Sequence, residues 1–346
     1  MPAGLGGESS FEPDEPTLPS GLAPQGKAAA EPMLPDGLMP ETWGDQEPAT
    51  PQGLDGAVAN HEDEGAQWET PGGPFDLSGF WEARAGIRTQ EDRYEDDISL
   101  GETRLQLEAE THMEKASATL TADLLYDGVL DRHTVRLEEG SGFIDLREAN
   151  LVVTPASLVD VKAGRQILTW GTGDLIFIND LFPKDWNAFF IGRDEEYLKA
   201  PSDAIKVGFF TGLFNLNVVY SPRFDADRFI DGRRISYYNR ALGRLAGEDA
   251  VVKVDKPDNW FEDDEIALRF YRNIGGYELA AYGYEGFWKS PAGTDPNSGR
   301  ATFPSLSVYG ASLRGTLFRG IGNTEFGYYN SKHDLSGDDP YVRNSE

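Results

Sequence analysis

The sequence predicts an all-β fold: an antiparallel transmembrane β-barrel over residues 75–346, preceded by a disordered acidic Pro/Gly-rich tail over residues 1–74. Three observations carry that expectation. Side chains alternate between apolar and polar over stretches of about ten residues. One side of those stretches is densely charged, and no amphipathic helix follows that could cover the apolar side. Short and long connections alternate between the stretches, as they do in outer-membrane barrels.

The tail is set apart by charge. The 346 residues hold 31 Lys+Arg and 59 Asp+Glu, a net −28, and the first 74 contribute one Lys, no Arg and 14 acidic residues, a net −13. Such a segment buries too little apolar surface to offset its chain entropy. It also repeats: Pro2-Ala3-Gly4-Leu5, Pro19-Ser20-Gly21-Leu22, Pro35-Asp36-Gly37-Leu38 and Pro51-Gln52-Gly53-Leu54 recur at intervals of 17, 16 and 16. Each unit favours a turn with one exposed apolar anchor. The repeats read either as low complexity or as a short linear motif for peptidoglycan or for a periplasmic or exporter partner.

From Phe75 onward the side-chain period is two. Trp81, Ala83, Ala85 and Ile87 alternate with Glu82, Arg84, Gly86 and Arg88. Leu105, Leu107 and Ala109 alternate with Arg104, Gln106, Glu108 and Glu110, and Ala118, Leu120, Ala122 and Leu124 with Thr119, Thr121 and Asp123. Residues 143–154 need a bulge near Arg147-Glu148 to keep Leu146 and Leu151 on one side. Further strands are predicted over 158–169, 205–209, 213–221, 264–272, 277–287, 307–318 and 322–330, about eleven in all. Short turns are expected at Glu114-Lys115, Pro155-Ala156, Thr211-Gly212, Gly275-Gly276 and Arg319-Gly320, and long loops over 127–141, 171–203, 222–262 and 288–304. Aromatics at strand ends, among them Trp81, Trp170, Tyr220, Trp288 and Tyr328, suit interfacial girdles.

Single-chain barrels have an even number of strands. An odd count, an acidic stretch Ser336-Gly337-Asp338-Asp339-Pro340 and the absence of a secretory apolar core near Met1 predict a sheet incomplete at the C-terminus. It should be curved and open, with Trp81, Leu105, Leu107, Leu120 and Leu124 facing outward.

Composition removes several functions. A net −28 argues against a nucleic-acid partner. With no Cys there is no disulfide framework, thiolate nucleophile or iron–sulfur site, and His61, His112, His133 and His333 are too scattered for a metal cluster. The acidic runs Glu262-Asp263-Asp264-Glu265 and Asp338-Asp339 lack the ligand spacing of a calcium loop. No catalytic motif is present, and no metal or cofactor is expected. Glu108 and Glu110 share a strand side at about 7 Å, but in a barrel they are lumen charge.

The richest segment runs from Gly164-Arg165-Gln166 through Trp170-Gly171 into about thirty residues without strand period. That loop carries Ile176-Phe177-Ile178, Leu181-Phe182-Pro183, Trp186, Phe189-Phe190-Ile191 and Tyr197-Leu198. So much apolar surface is costly in water, so the loop is expected to fold inward as a constriction. The Gly-Arg-Gln strand, the Trp-Gly end, Asn179-Asp180-Leu181-Phe182-Pro183 and the stretch from Asp225 to Arg234 together resemble a group of Gram-negative outer-membrane porin-like β-barrel proteins, loosely related to alginate-export-type barrels. The resemblance covers roughly Phe75 to Glu346 and implies the barrel fold without fixing a solute.

The constriction candidates are Arg165, Gln166, Trp170, Asp180, Lys184 and Arg193, and the lumen charges are Glu82, Arg84, Arg88, Arg104, Glu108 and Glu110. Arg165 and Gln166 could line the pore, or Arg165 could simply pair with a carboxylate such as Glu148. Trp170 could be a packing anchor or a solute-stacking platform. Arg223, Arg228, Arg233, Arg234, Arg240 and Arg244 with Asp225, Asp227 and Asp231 make a basic loop suited to lipopolysaccharide phosphates or to internal ion pairs. The expected function is a porin-like channel for small hydrophilic solutes in the outer membrane of a Gram-negative bacterium, in contact with membrane lipid and lipopolysaccharide. The alternative is a plugged barrel acting as an envelope anchor or exporter accessory.

Overall fold

The computed structural model describes residues 68–69, 75–130, 135–137, 140–170, 172 and 176–346. The tail and its repeats lie outside the described residues except for the backbone of Trp68–Glu69, a two-residue strand.

The alternation becomes eleven long strands: β1 Asp76–Ile87, β2 Ile98–Met113, β3 Ala116–Asp127, β4 Ile144–Ala156, β5 Val159–Ile167, β6 Pro201–Phe210, β7 Asn215–Ser221, β8 Glu265–Ile274, β9 Tyr277–Phe287, β10 Ser305–Leu317 and β11 Gly320–Ser331. Each pairs antiparallel with its neighbours in chain order, and Trp68–Glu69 adds to the other edge of β1, making one twelve-stranded sheet. Among the described residues the strand Trp68–Glu69 and β11 are the two edges of the sheet, and no pairing closes it between them. One short helix, α1 Trp186–Phe190, is capped by the Asp185 side chain, which accepts from Ala188 N at 2.7 Å.

All tight reversals fall at one end of the sheet and all long connections at the other. Gly275 and Gly276 take φ of 58° and 84°, the left-handed pair that a two-residue hairpin turn requires. Three turns lie a residue or two from their expected places. Pro155 and Ala156 remain in β4, with the reversal at Ser157-Leu158; the third turn spans 211–214; and the last is at Phe318-Arg319, with Gly320 opening β11. Pro155 has no N–H for the ladder and occupies the irregularity between Val153 and Ala156 in the β4–β5 pairing.

The predicted bulge is present. Thr121 pairs with Glu148 and Ala122 with Leu146, leaving Arg147 as the extra residue. Arg147 is buried on the same side as Asp145, while Leu151 is exposed on the other.

Side chains divide cleanly across the sheet. One side exposes Trp81 at 55%, Leu120 at 51%, Leu268 at 41% and Phe326 at 66%, with Leu107 and Leu124 also exposed and Leu105 half-buried. The other side buries charge: Glu102, Arg104, Asp123, Asp145, Arg147, Arg165 and Arg269. The connection between β5 and β6 lies against this second side and touches both ends of the sheet. Arg84 of β1 donates to Gly192 O at 2.7 Å, and Glu325 of β11 accepts from Thr172 N at 2.9 Å. The sheet is therefore curled around that connection.

Towards β7–β10 the enclosed side turns apolar. Leu168, Trp170 and Phe182 pack with Val219, Tyr271, Tyr282, Tyr284, Trp288, Leu306 and Val308. β5 enters this region through Gly164, whose φ is 120° and whose missing Cβ would lie 2.3 Å from Ala149 O. Gly164→Ala should therefore destabilise the fold by about 1–3 kcal/mol, read as an earlier denaturant midpoint, whereas alanine at Gly283, with nothing near its Cβ, should stay close to wild type.

Candidate functional site

The candidate site is the enclosed side of the sheet, filled by residues 176–200 and bordered at its mouth by residues 222–264. A charged network built on β2 holds the first of these. Arg104 is fully buried between Glu102, at 2.7 Å, and Asp123, with Glu82 at 3.3 Å. The loop supplies Arg193, which reaches Glu102 at 2.5 Å, and Asp194, which meets Arg84 at 2.5 Å.

Tyr197 is the loop's central anchor. Its ring lies between two guanidiniums, Arg104 at 4.1 Å and Arg147 at 4.6 Å, and its hydroxyl accepts from Gln106 Nε2 at 2.8 Å. Burial pushes the phenol well above its ordinary range, so it stays neutral. Arg147 also donates to Glu196 O and Lys199 O at 3.1 and 3.0 Å, fixing the backbone on either side of that ring.

A second network enters from residues 222–264. Arg228 pairs with Asp145 of β4 at 2.8 Å and with the helix cap Asp185 at 3.2 Å. Burial works against its charge, yet the two carboxylates overcome that and hold Arg228 above the ordinary guanidinium value. Asp227 accepts from Lys184 N at 2.8 Å, Trp186 Nε1 at 3.2 Å and Ser290 Oγ at 2.5 Å; Asp225 accepts from Ser202 Oγ at 2.8 Å and Asp203 N at 3.1 Å. The Asp225-x-Asp-Arg stretch is thus a clamp on the inward loop. The sequence points to these residues as a basic external loop, and no local signal identifies Asp145 as the partner, because the contact joins residues 83 positions apart.

The six constriction candidates occupy the enclosed side, but they are already engaged. Arg165 donates to Leu146 O at 2.7 Å and to Leu137 O at 2.5 Å, and pairs with Asp203 at 3.4 Å; Glu148 instead faces Lys162 at 3.7 Å. Gln166 donates to Ala204 O at 2.9 Å. Trp170 is buried, edge-on to Phe182 with centroids 4.9 Å apart, which makes it a packing anchor rather than a stacking platform. Asp180 accepts from Thr169 Oγ1 at 2.7 Å and meets Lys184 at 3.0 Å.

Of the lumen charges, Glu82, Arg84 and Arg104 belong to the first network. Glu108 and Glu110 lie nearer the short turns, accepting from Ser78 Oγ at 3.4 Å and Thr119 Oγ1 at 3.3 Å. Arg88 is one residue past β1, in the connection to β2, and its guanidinium donates to Arg234 O at 2.5 Å. It therefore ties two mouth loops together and is not a charge within the sheet's span.

At the mouth, residues 125–130 and 140–143, α1 and residues 225–256 border a cavity of about 360 Å3. Asp127, Asp185, Asp225, Asp227 and Asp231 border it with Arg193, Arg228, Arg233, Arg234 and Lys256, alongside apolar Leu125, Ile191, Phe229, Val252 and Phe303. Among the described residues no His/Cys/Asp/Glu group is arranged to hold a metal ion, and no helix is long and apolar enough to cross a membrane, which says nothing of strands.

Two predictions follow from this geometry. Arg228→Met leaves Asp145 and Asp185 buried without their cation and should cost about 3–5 kcal/mol of stability; adding Asp145→Leu should recover part of that loss in a denaturant titration. The second concerns Glu95 in the connection between β1 and β2. Burial, opposed by Arg88 and reinforced by Glu248, Asp92 and Asp231, pushes its carboxyl up to about 7. The docked form thus takes up a proton near neutrality, whereas an exposed carboxyl does so only near 4.5. Docking of residues 88–97 should be weakest above pH 7, tighten as pH falls through that value and be fully gained below about 4.5. Proteolysis of that connection should slow between about pH 8 and about pH 5, and Glu95→Gln should flatten the dependence. Comparison of the chain with protein-family models and with curated proteins finds no match.

Proposed function

We propose that this protein is an outer-membrane porin-like β-barrel through which small hydrophilic solutes pass, with residues 171–203 as the constriction. The observation that carries the reading is the inverted division of side chains. Eleven long strands expose Leu, Ile, Phe and Trp on one side and bury paired charges on the other. A sheet in water would do the reverse; a sheet whose outer face meets lipid needs this arrangement, because hydrocarbon tolerates neither charge nor an unpaired backbone. The long connections gather at one end and the tight turns at the other, the arrangement expected of extracellular loops and periplasmic turns.

The inward loop favours a second reading. Its apolar residues pack into the β7–β10 side and its charges are internally paired, which suits a plugged barrel used as an envelope anchor or exporter accessory. Single-channel recording in planar bilayers separates the two. Passage predicts open-pore steps whose size rises when residues 176–198 are replaced by a short Gly/Ser linker, or when Tyr197→Ala removes the ring between Arg104 and Arg147. Silence from both the intact chain and a folded loop-replacement variant would reject passage and leave the plug.

A further inference from the structure

The mouth cavity has a chemically uneven wall. All five of its carboxylates are met by donors of the protein itself: Asp127 by Arg234, Asp185 by Ala188 N and Arg228, Asp225 by Ser202 and Asp203 N, Asp227 by Lys184 N, Trp186 and Ser290, and Asp231 by Arg233. Two of the cations, Arg193 and Arg233, are less fully met. Arg193 gives one terminal nitrogen to Glu102 at 2.5 Å, while its Nε is buried and has no acceptor among the described residues; its side chain is only 6% exposed. A buried guanidinium N–H without an acceptor is costly, so a ligand that supplies one gains more there than at an exposed arginine. Arg233, bonded to Asp231 at 2.6 Å, keeps 36% of its side chain exposed at the same cavity.

The remaining wall is apolar, with Ile191, Phe229 and Val252 among its residues. A visitor therefore finds occupied acceptors, the guanidinium-bearing Arg193 and Arg233 and apolar surface bordering a space of about 360 Å3, the lower end of the range for small-molecule sites. A neutral sugar would compete with donors already placed on the five aspartates, and a cation would meet no unmet carboxylate. An organic anion uses what is left.

We propose that this cavity binds a small monocarboxylate with an apolar body, its carboxylate on Arg193 and its body against Phe229 and Val252. The proposal rests on reading the mouth as the way in for solute, and it names the class of solute.

The test uses the full chain in detergent micelles and isothermal titration with 2-naphthoate and its neutral amide, 2-naphthamide. One site is expected, with the carboxylate bound at least roughly tenfold tighter than the amide. Arg193→Gln should erase that preference. Val252→Trp, which fills the cavity without touching a charge, should remove binding of both compounds while leaving the β-sheet circular dichroism intact. Should Arg193→Gln fail to fold because Glu102 is left buried, Arg193→Gln with Glu102→Gln removes both charges of that pair, and Val252→Trp carries the test independently. Equal affinity for carboxylate and amide would overturn the proposal, as would 2-naphthoate binding that survives Val252→Trp. Because the titration needs neither a membrane nor transport, failed binding with open-pore steps intact would reject the ligand alone. Binding by a chain that gives no steps would keep the ligand and reject passage.

Discussion

Arg104 is a guanidinium with no exposed side-chain surface, set on the enclosed side of a β-sheet whose other side is apolar. An isolated charge there would be intolerable, and it persists because Glu102, Asp123 and Glu82 surround it while the Tyr197 ring covers it. This requirement organises the rest of the molecule. Once a sheet turns its apolar side outward, most charges of the alternating pattern are driven inward, and those must find partners within the curl. Neighbouring strands supply some of them. Connections supply others: Arg193 and Asp194 of the β5–β6 connection complete Glu102 and Arg84, and Arg228 of the β7–β8 connection completes Asp145.

The inward loop is therefore held at three places by different physics. At the β1–β4 side the hold is ionic and cation–π, through Arg193, Asp194 and Tyr197. At the β7–β10 side it is apolar, through Phe182 and Trp170 against Tyr282. From the mouth, Asp227 and Arg228 grip Lys184 N, Trp186 and Asp185. Buried ion pairs add little net stability over apolar packing, but breaking one is severe. They suit a segment that must keep a single position in a polar interior. The apolar contacts supply the burial that the short α1, five residues long, could not supply alone.

The strands were legible because a period of two is a local property. Leu105-Gln106-Leu107-Glu108 states its own sidedness, and even the bulge at Arg147 could be inferred from the break between Leu146 and Leu151. The inward course of residues 176–200 was legible for a related reason, since its apolar clusters had no strand pattern to explain them. Pairings across the interior were not legible. Arg165 meets Asp203, directly opposite it in the β5–β6 register, rather than Glu148, and Arg88 passes the end of β1 by one residue and becomes a loop tie. The clamp of Arg228 on Asp145 joins segments with no common local motif. Such contacts depend on the curl of the whole sheet, which no window of sequence contains.

The open edges obey the same logic as the filled interior. β1 and β11 both run from the tight-turn end toward the long-connection end, so they cannot pair antiparallel with each other, whatever the curvature. An element running the opposite way must lie between them for an antiparallel sheet to close. Segments of that direction already touch both edges: Trp68–Glu69 pairs with Ser78 and Gly79 of β1, and Glu346 exchanges both backbone hydrogen bonds with Tyr329 of β11, at 2.6 and 2.9 Å. In lipid an unpaired strand edge costs several kcal/mol for each unmet N–H or C=O. On the proposed membrane reading, the pressure to cover these two edges is thus of the same kind as the pressure to pair Arg104. In both cases a polar group removed from water must be met by the protein itself, and the antiparallel direction is already set at each edge by the pairs in place.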